Sequence, residues 1–237
     1  MRLYTKLFIM IEMICYSLFT VLDICFPDYY QISNKMKFIS ICGCFLYTMT
    51  QLIIHKRKEF VLSLAMLFIL WSDFFLLLTD HMLYGMITFN LVQVFLFLKI
   101  VSYDMNSKNA LFQRVSILLV STLLICVLLN VITEIDGLLV VSILYFLQFT
   151  LNLSKLISLY GKYHVKEVKL FLIGLILYFL CDINVGIFNL SSYINVSSQF
   201  FDILYKIATI AMWSFYLPGI VCIALCTDTS ITKKFNK

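Results

Sequence analysis

The stretch ILWSDFFLLL, residues 69–78, places one carboxylate, that of Asp73, inside a run of otherwise apolar side chains. The apolar run extends over about residues 60–79, which is long enough to cross a bilayer, because about 20 residues span the hydrocarbon. An ionised Asp near the centre of such a helix costs about 3 kcal/mol. The stretch therefore predicts a membrane-spanning helix and marks Asp73 as a candidate functional residue.

The rest of the chain repeats this apolar pattern. Of its 237 residues, 62% are hydrophobic and 13% are charged, whereas soluble domains carry about 25% charged residues. The composition predicts an all-α polytopic membrane protein in which residues 1–237 form a single transmembrane helical-bundle domain. We predict eight transmembrane helices, at residues 7–25, 36–54, 60–79, 83–99, 115–133, 138–160, 168–189 and 201–226.

The basic residues indicate the orientation of these helices. Fifteen of the eighteen Lys and Arg residues lie near the two termini or near the links between helices two and three, four and five, and six and seven. The other three are Lys35, Lys37 and Lys206. Loops rich in Lys and Arg face the cytoplasm, so this alternation predicts cytoplasmic termini and an even number of helices. The net charge of +5 is explained by topology, and we expect no nucleic-acid partner.

The sequence predicts neither a metal site nor a cofactor. The eight cysteines lie mostly within predicted helices, and the pair in Cys42-Gly43-Cys44 lacks metal-site spacing. The three histidines fall in loops or at helix ends.

A second apolar segment, LYFLCDINVG at residues 177–186, carries an aspartate in a similar setting. Asp73 and Asp182 lie fourteen and fifteen residues beyond Glu59 and Glu167, in helices predicted to run in the same direction. At 1.5 Å per residue, both carboxylates are expected roughly 20 Å from the cytoplasmic end. We therefore predict that Asp73 and Asp182 lie at matching depth and form a functional site.

Polar side chains at helical spacing predict a cavity around this pair. Tyr145, Gln148, Asn152 and Lys155 fall on one face of predicted helix six. Polar residues in membrane helices normally face the bundle interior. Each has a structural alternative as an interhelical hydrogen bond, worth about 1 kcal/mol or less. Glu12 and Asp23 are left out of the site because they are expected nearer to helix ends. The predicted substrate-binding residues are Asn90, Gln93, Gln148, Asn152, Lys155 and Tyr178.

The segment LAMLFILWSDFFLLLTDHMLYGMITFNLVQVFLFL, residues 64–98, resembles the central signature of the YhhN-like lysoplasmalogenase family of eight-helix membrane proteins. The resemblance lies in Ser72 and Asp73, followed by Gly85 and Phe89 in the next helix. Further similar segments are LYFLCDINVGIF around Asp182, WSFYLPGIVCIAL near the C-terminus, and a basic residue, Lys35 or Lys37, opening helix two.

Three positions depart from the family pattern. Gln93 stands where the family typically carries a His, Gly219 where it has a Gln, and Cys181 where it has a Ser. The first departure removes an ionisable imidazole, and with it a candidate proton carrier.

The resemblance implies hydrolysis of the vinyl ether of a lysoplasmalogen to a fatty aldehyde and a glycerophospho head group. Two neighbouring carboxylates can divide the acid and base roles that this reaction needs, so we expect Asp73 and Asp182 to be the catalytic pair, with Gln93 and Tyr178 as orienting groups. Lys155 or a loop cation is expected near the phosphate. The expected ligand is a membrane lipid or lysophospholipid. The richness in Ile, Phe, Asn and Lys suggests an AT-rich bacterial genome. The expected location is therefore a bacterial cytoplasmic membrane.

Two other classes of function fit the same residues. The chain is alternatively a non-catalytic lipid-binding protein or a proton-coupled transporter that uses the aspartates as carriers. A scaffold in which the aspartates pair with Lys155 or Lys206 is a third possibility.

Overall fold

A computed structural model describes residues 2–55, 60–79, 81–103, 108–132, 137–190 and 199–228. Every regular element in these residues is helical, which agrees with the all-α prediction. The eight α-helices are α1 (Leu3–Cys25), α2 (Tyr30–His55), α3 (Phe60–Asp73), α4 (Met82–Val101), α5 (Lys108–Ile132), α6 (Gly137–Tyr163), α7 (Lys166–Leu190) and α8 (Gln199–Leu225).

Seven helical segments in the described part of the chain are long and apolar enough to cross a membrane. Helices satisfy their own backbone hydrogen bonds, as a segment in lipid must. Helix α5 is not among the seven, and its apolar stretch within the residues searched is Arg114–Val127. The chain is therefore a multi-pass membrane protein.

Several helix ends differ from the predicted ones for identifiable reasons. A short 3₁₀ turn, Pro27–Tyr29, leads directly into α2, which begins at Tyr30 instead of residue 36. The fixed φ of proline suits the first turn of a helix. Helix α5 begins at Lys108 instead of residue 115, so Arg114, which we expected beside the link, lies within the helix. Hydropathy missed these first two turns because four of the seven residues are polar.

The helices fall into two compact units. The terminal unit consists of Met1–Tyr47 and Val165–Lys237, and the central unit consists of Thr48–His164. Helix α2 contributes to both, since the division lies within it. The single-domain organisation of residues 1–237 stays a prediction.

In the terminal unit, α7 and α8 pack closely at two glycines. A Cβ atom on Gly174 would lie 3.0 Å from the carbonyl oxygen of Gly219, and a Cβ on Gly219 would lie 3.0 Å from the carbonyl oxygen of Gly174. Small residues allow this kind of close approach between membrane helices. Gly219, which stands where the similar family has a Gln, therefore allows α7 and α8 to pack closely in this chain.

Helices α1 and α2 of the terminal unit are joined by buried polar contacts. Lys37 forms an ion pair with Asp23 at 2.8 Å, and Ser33 donates a hydrogen bond to the same carboxylate. Ser40 donates a hydrogen bond to Glu12, whose side chain is only 3% exposed. The expectation that Glu12 lies towards a helix end is wrong, because α1 extends beyond it on both sides and α2 supplies a partner.

In the central unit, α3 and α4 meet through their signature residues. Ser72 donates a hydrogen bond to the carbonyl oxygen of Gly85 at 2.6 Å. A Cβ on Gly85 would lie 2.6 Å from Cδ2 of Leu76, so the glycine makes room for that side chain. The rings of Phe68 and Phe95 are stacked, with 5.2 Å between their centroids.

Candidate functional site

Asp73 lies where α3 changes its helical geometry. The α-helix ends at this residue, and Phe74–Leu78 form a π-helical turn. The carboxylate belongs to the central unit and is buried, with 3% of the residue exposed. This turn ends the helical segment, because the backbone is extended at Thr79. π-helical turns are rare and are often found at functional sites.

Helices α4 and α6 of the central unit are joined by amide hydrogen bonds. Nδ2 of Asn152 donates to the side-chain Oε1 of Gln93 at 2.8 Å and to its backbone oxygen at 2.9 Å. Both residues are fully buried. One turn earlier on α6, Nε2 of Gln148 donates to Oδ1 of Asn90 at 2.8 Å. The structure therefore brings together four of the predicted substrate-binding residues.

Asn90 fixes one edge of this network. Its Nδ2 donates to the backbone oxygen of Met86 at 2.9 Å, within α4, and to that of Val141 at 3.2 Å, on α6. The amide is thus held in one orientation, with its oxygen directed to Gln148. A half-buried side chain with three defined hydrogen bonds is a rigid part of the site.

Arg114 of α5 completes the group, and the sequence-based site did not include it. Its Nη1 donates to Oδ1 of Asn152 at 2.7 Å, and its Nη2 donates to the backbone oxygen of Gln148 at 3.0 Å. The guanidinium carbon lies 4.4 Å from the ring centroid of Phe97. We call Asn90, Gln93, Arg114, Gln148 and Asn152 the Arg114 cluster.

The guanidinium of Arg114 is buried, with 7% of the residue exposed. No described carboxylate forms an ion pair with it. Arginine stays charged at neutral pH, and a buried charge is expensive unless it is compensated. The two hydrogen bonds and the aromatic ring stabilise the cation but do not neutralise it.

Two atoms of the cluster lack hydrogen-bond partners among the described residues. They are Nε2 of Gln93, a donor, and Oε1 of Gln148, an acceptor, and both are buried. A buried polar group left in this state costs about 1–3 kcal/mol. The cluster thus contains a cation whose charge its hydrogen bonds do not neutralise, together with one amide donor and one amide acceptor that are not used in the described contacts.

The remaining predicted site residues lie elsewhere. Asp182 and Tyr178 are on α7 in the terminal unit, where Asp182 is half-buried and the Tyr178 ring contacts that of Tyr216 at 5.4 Å. Lys155 is half-buried on α6, one turn beyond Asn152. Asp73 and Asp182 therefore belong to different units, and their pairing stays a prediction.

The polar pattern on α4 and α6 was a sufficient signal for the amide part of the cluster. The signal for Arg114 is weaker, because a basic residue at the edge of an apolar run usually marks a membrane interface. Arg114 reaches Gln148 and Asn152 only because α5 packs against α6, which the sequence does not show.

Comparisons with known proteins give no relative for this chain. No protein-family model matches it, and no curated protein or solved structure matches it.

Proposed function

We propose that this chain is a membrane-embedded lipid hydrolase that cleaves the vinyl ether of a lysoplasmalogen. The products are a fatty aldehyde and a glycerophospho head group. The proposal builds on the resemblance of residues 64–98 to the YhhN-like lysoplasmalogenase signature.

The observation that carries the proposal is the setting of Asp73. This buried carboxylate stands at the first residue of a change from α- to π-helical geometry, next to the hydrogen bond between Ser72 and Gly85. A carboxylate in a membrane helix is costly and normally functional.

The reaction needs two functions that carboxyl groups supply. A carboxylic acid donates its proton to the alkene carbon of the vinyl ether, which creates an oxocarbenium ion. A carboxylate stabilises that cation and removes a proton from the attacking water, so that a hemiacetal forms and collapses to the aldehyde and the alcohol. In the proposal Asp73 and Asp182 divide these roles, as paired carboxylates do in other enzymes.

The proposal includes eight membrane crossings, with both termini in the cytoplasm of a bacterial cell. Basic residues flank both ends of the chain, at Arg2 and Lys6 and at Lys233, Lys234 and Lys237, which favours an even number of crossings. From Arg114 to its end at Ile132, α5 is about 28 Å long, and its sequence stays mostly apolar beyond Val127, which is long enough for an eighth crossing. The polar first turn of α5 would then lie at head-group level, and Arg114 would turn inwards against α6.

The test is a rate assay on purified full-length protein in detergent with lysoplasmalogen as substrate. Wild-type protein is expected to release fatty aldehyde, and Asp73→Asn and Asp182→Asn are each expected to lower the rate by at least about 100-fold, as removal of an acid or base group does. Asp28→Asn is the matched control, since Asp28 is an exposed residue of the 3₁₀ turn. A well-folded wild type that releases no aldehyde would overturn the proposal.

A second candidate function, lipid binding without catalysis, is favoured by one observation. Gln93, which stands in place of the family's His, has its Oε1 engaged by Asn152 in a buried amide network. An amide binds but does not carry protons at neutral pH. In this case lysoplasmalogen would stabilise the wild type against thermal unfolding without any release of aldehyde.

A further inference from the structure

We infer that the Arg114 cluster binds a phosphate group that has a hydroxyl group on a neighbouring carbon. This is the chemistry of the glycerophosphate part of a lysophospholipid. The phosphate site rests on the geometry of the cluster, while its assignment to a lipid rests on the proposed function. It replaces Lys155 as the group expected to meet the phosphate.

The charge of Arg114 is the first argument. Its guanidinium is buried and has two hydrogen bonds to neutral oxygens, with no carboxylate partner in the described ranges. Further N–H donors of the guanidinium remain available, and its planar fork suits the oxygens of a phosphate. An anion supplied by a ligand would compensate a charge that this part of the protein leaves uncompensated.

The two unsatisfied amide atoms are the second argument, and they restrict the ligand further. Nε2 of Gln93 needs an acceptor, which a phosphate oxygen provides, and Oε1 of Gln148 needs a donor, which a hydroxyl provides. A fatty-acid carboxylate carries no donor when it is ionised. A glycerophosphate with a free secondary hydroxyl carries an acceptor and a donor on adjacent positions.

The depth of the cluster agrees with a lipid head group. Arg114 lies six residues into α5, about 9 Å along the axis from the end predicted to be cytoplasmic. Gln93 lies eight residues, about 12 Å, along α4 from Gly85, which contacts Ser72 beside Asp73. A lysolipid whose phosphate lies at the cluster could extend its glycerol and ether towards the Asp73 end of α3 and α4.

The structural alternative is that the cluster only joins three helices. Buried amide and arginine networks do stabilise helix packing, and each bond contributes modestly. That role explains the hydrogen bonds that are made. It does not explain why, among the residues that the structure describes, the buried cation has no counterion and one donor and one acceptor of the same cluster stay unsatisfied.

Binding is measured on purified full-length protein with a saturated analogue, 1-O-alkyl-glycero-3-phosphoethanolamine. This lipid has no vinyl bond, so its binding is independent of any hydrolysis. The comparison ligands are the 1-O-alkylglycerol of the same chain length, glycerol 3-phosphate and inorganic phosphate. We expect the wild type to bind the lysophospholipid analogue at least tenfold more tightly than the alkylglycerol.

Asn152→Asp gives the sharpest variant. It places a carboxylate 2.7 Å from Nη1 of Arg114, so an internal ion pair would take the place of the external anion. We expect this variant to remain folded and to lose the preference for the phosphate-bearing lipid. Arg114→Gln should lose it as well, whereas Lys6→Gln, a matched loss of charge at an exposed position, should keep it.

The outcomes separate the possibilities. Tight binding of glycerol 3-phosphate or inorganic phosphate without a lipid chain would support the phosphate site and assign it to a soluble ligand. Equal affinity for the analogue and the alkylglycerol, or an unchanged preference in folded Asn152→Asp protein, would overturn the inference. Failure of the aldehyde assay alone would overturn the proposed hydrolysis and leave the phosphate site standing.

Discussion

Arg114 on α5 and Asn152 on α6 are joined by a hydrogen bond of 2.7 Å in the interior of the central unit. Asn152 also donates to Gln93 on α4, so one amide side chain connects three helices. Asn152 therefore links the guanidinium of Arg114 to Gln93, which stands where the similar family typically carries a His.

Asn152→Ala is expected to destabilise the central unit by about 2–4 kcal/mol, because it removes the acceptor for Nη1 of the buried Arg114 and the donor to Oε1 of the buried Gln93. Unfolding in mixed detergent measures the free-energy change. Thr150→Ala on the same helix is the control, since Thr150 is exposed and bonds only within α6, and it should change stability by less than about 0.5 kcal/mol. Similar losses in the two variants would contradict the role of Asn152.

Gly85→Ala is expected to destabilise the packing of α3 on α4 by about 1–3 kcal/mol, because the added Cβ would overlap Leu76. Leu76→Ala in the same chain should relieve part of this loss, so the double variant should be more stable than the sum of the single effects. Gly161→Ala is the control, as nothing lies within 4 Å of its Cβ position. Thermal unfolding of the four proteins tests the prediction, and strict additivity would count against it.

Gly219→Gln, which introduces the residue typical of the family, is expected to weaken the protein. Its Cβ would lie 3.0 Å from backbone atoms of Gly174 and Tyr178, which cannot rotate away. Gly186→Ala on α7 is the control, since its Cβ position is open. A variant with Gln at position 219 that unfolds at the wild-type temperature would show that α7 and α8 do not need this contact.

Lys37→Met is expected to cost about 1–3 kcal/mol, because it removes the cation of an ion pair and leaves the half-buried carboxylate of Asp23 with only the hydrogen bond from Ser33. The double variant with Asp23→Asn should lose less than Lys37→Met alone. Lys35→Met, at an exposed position two residues away, is the control. A double-mutant cycle by detergent unfolding gives the coupling, and a coupling near zero would mean that the pair does not stabilise α1 against α2.

The helices could be predicted because lipid leaves the backbone few alternatives. The apolar runs around Asp73 and Asp182 predicted the helical segment Phe60–Leu78 and α7 nearly to their ends. The π-helical turn after Asp73 was not predicted, since Phe74–Leu78 has the same apolar composition as the α-helix before it.

The site was predictable in part for a related reason. Asn90, Gln93, Gln148 and Asn152 follow helical spacing, so their convergence could be inferred from the sequence. Arg114 could not be added, because its role depends on the earlier start of α5 and on the face that α5 turns towards α6. Burial of Glu12 was missed because its partner, Ser40, comes from a different helix.

The most direct test of the proposed hydrolysis is the isotopic composition of the aldehyde formed from lysoplasmalogen in D₂O. Protonation of the alkene carbon by an acid of the enzyme, in exchange with solvent, must place one deuterium on carbon 2 of the aldehyde. Rapid trapping of the product and mass spectrometry should show this single deuterium with the wild type and almost no aldehyde with Asp73→Asn. Aldehyde that forms without deuterium, or that forms equally with Asp73→Asn, would contradict acid catalysis at this carboxylate.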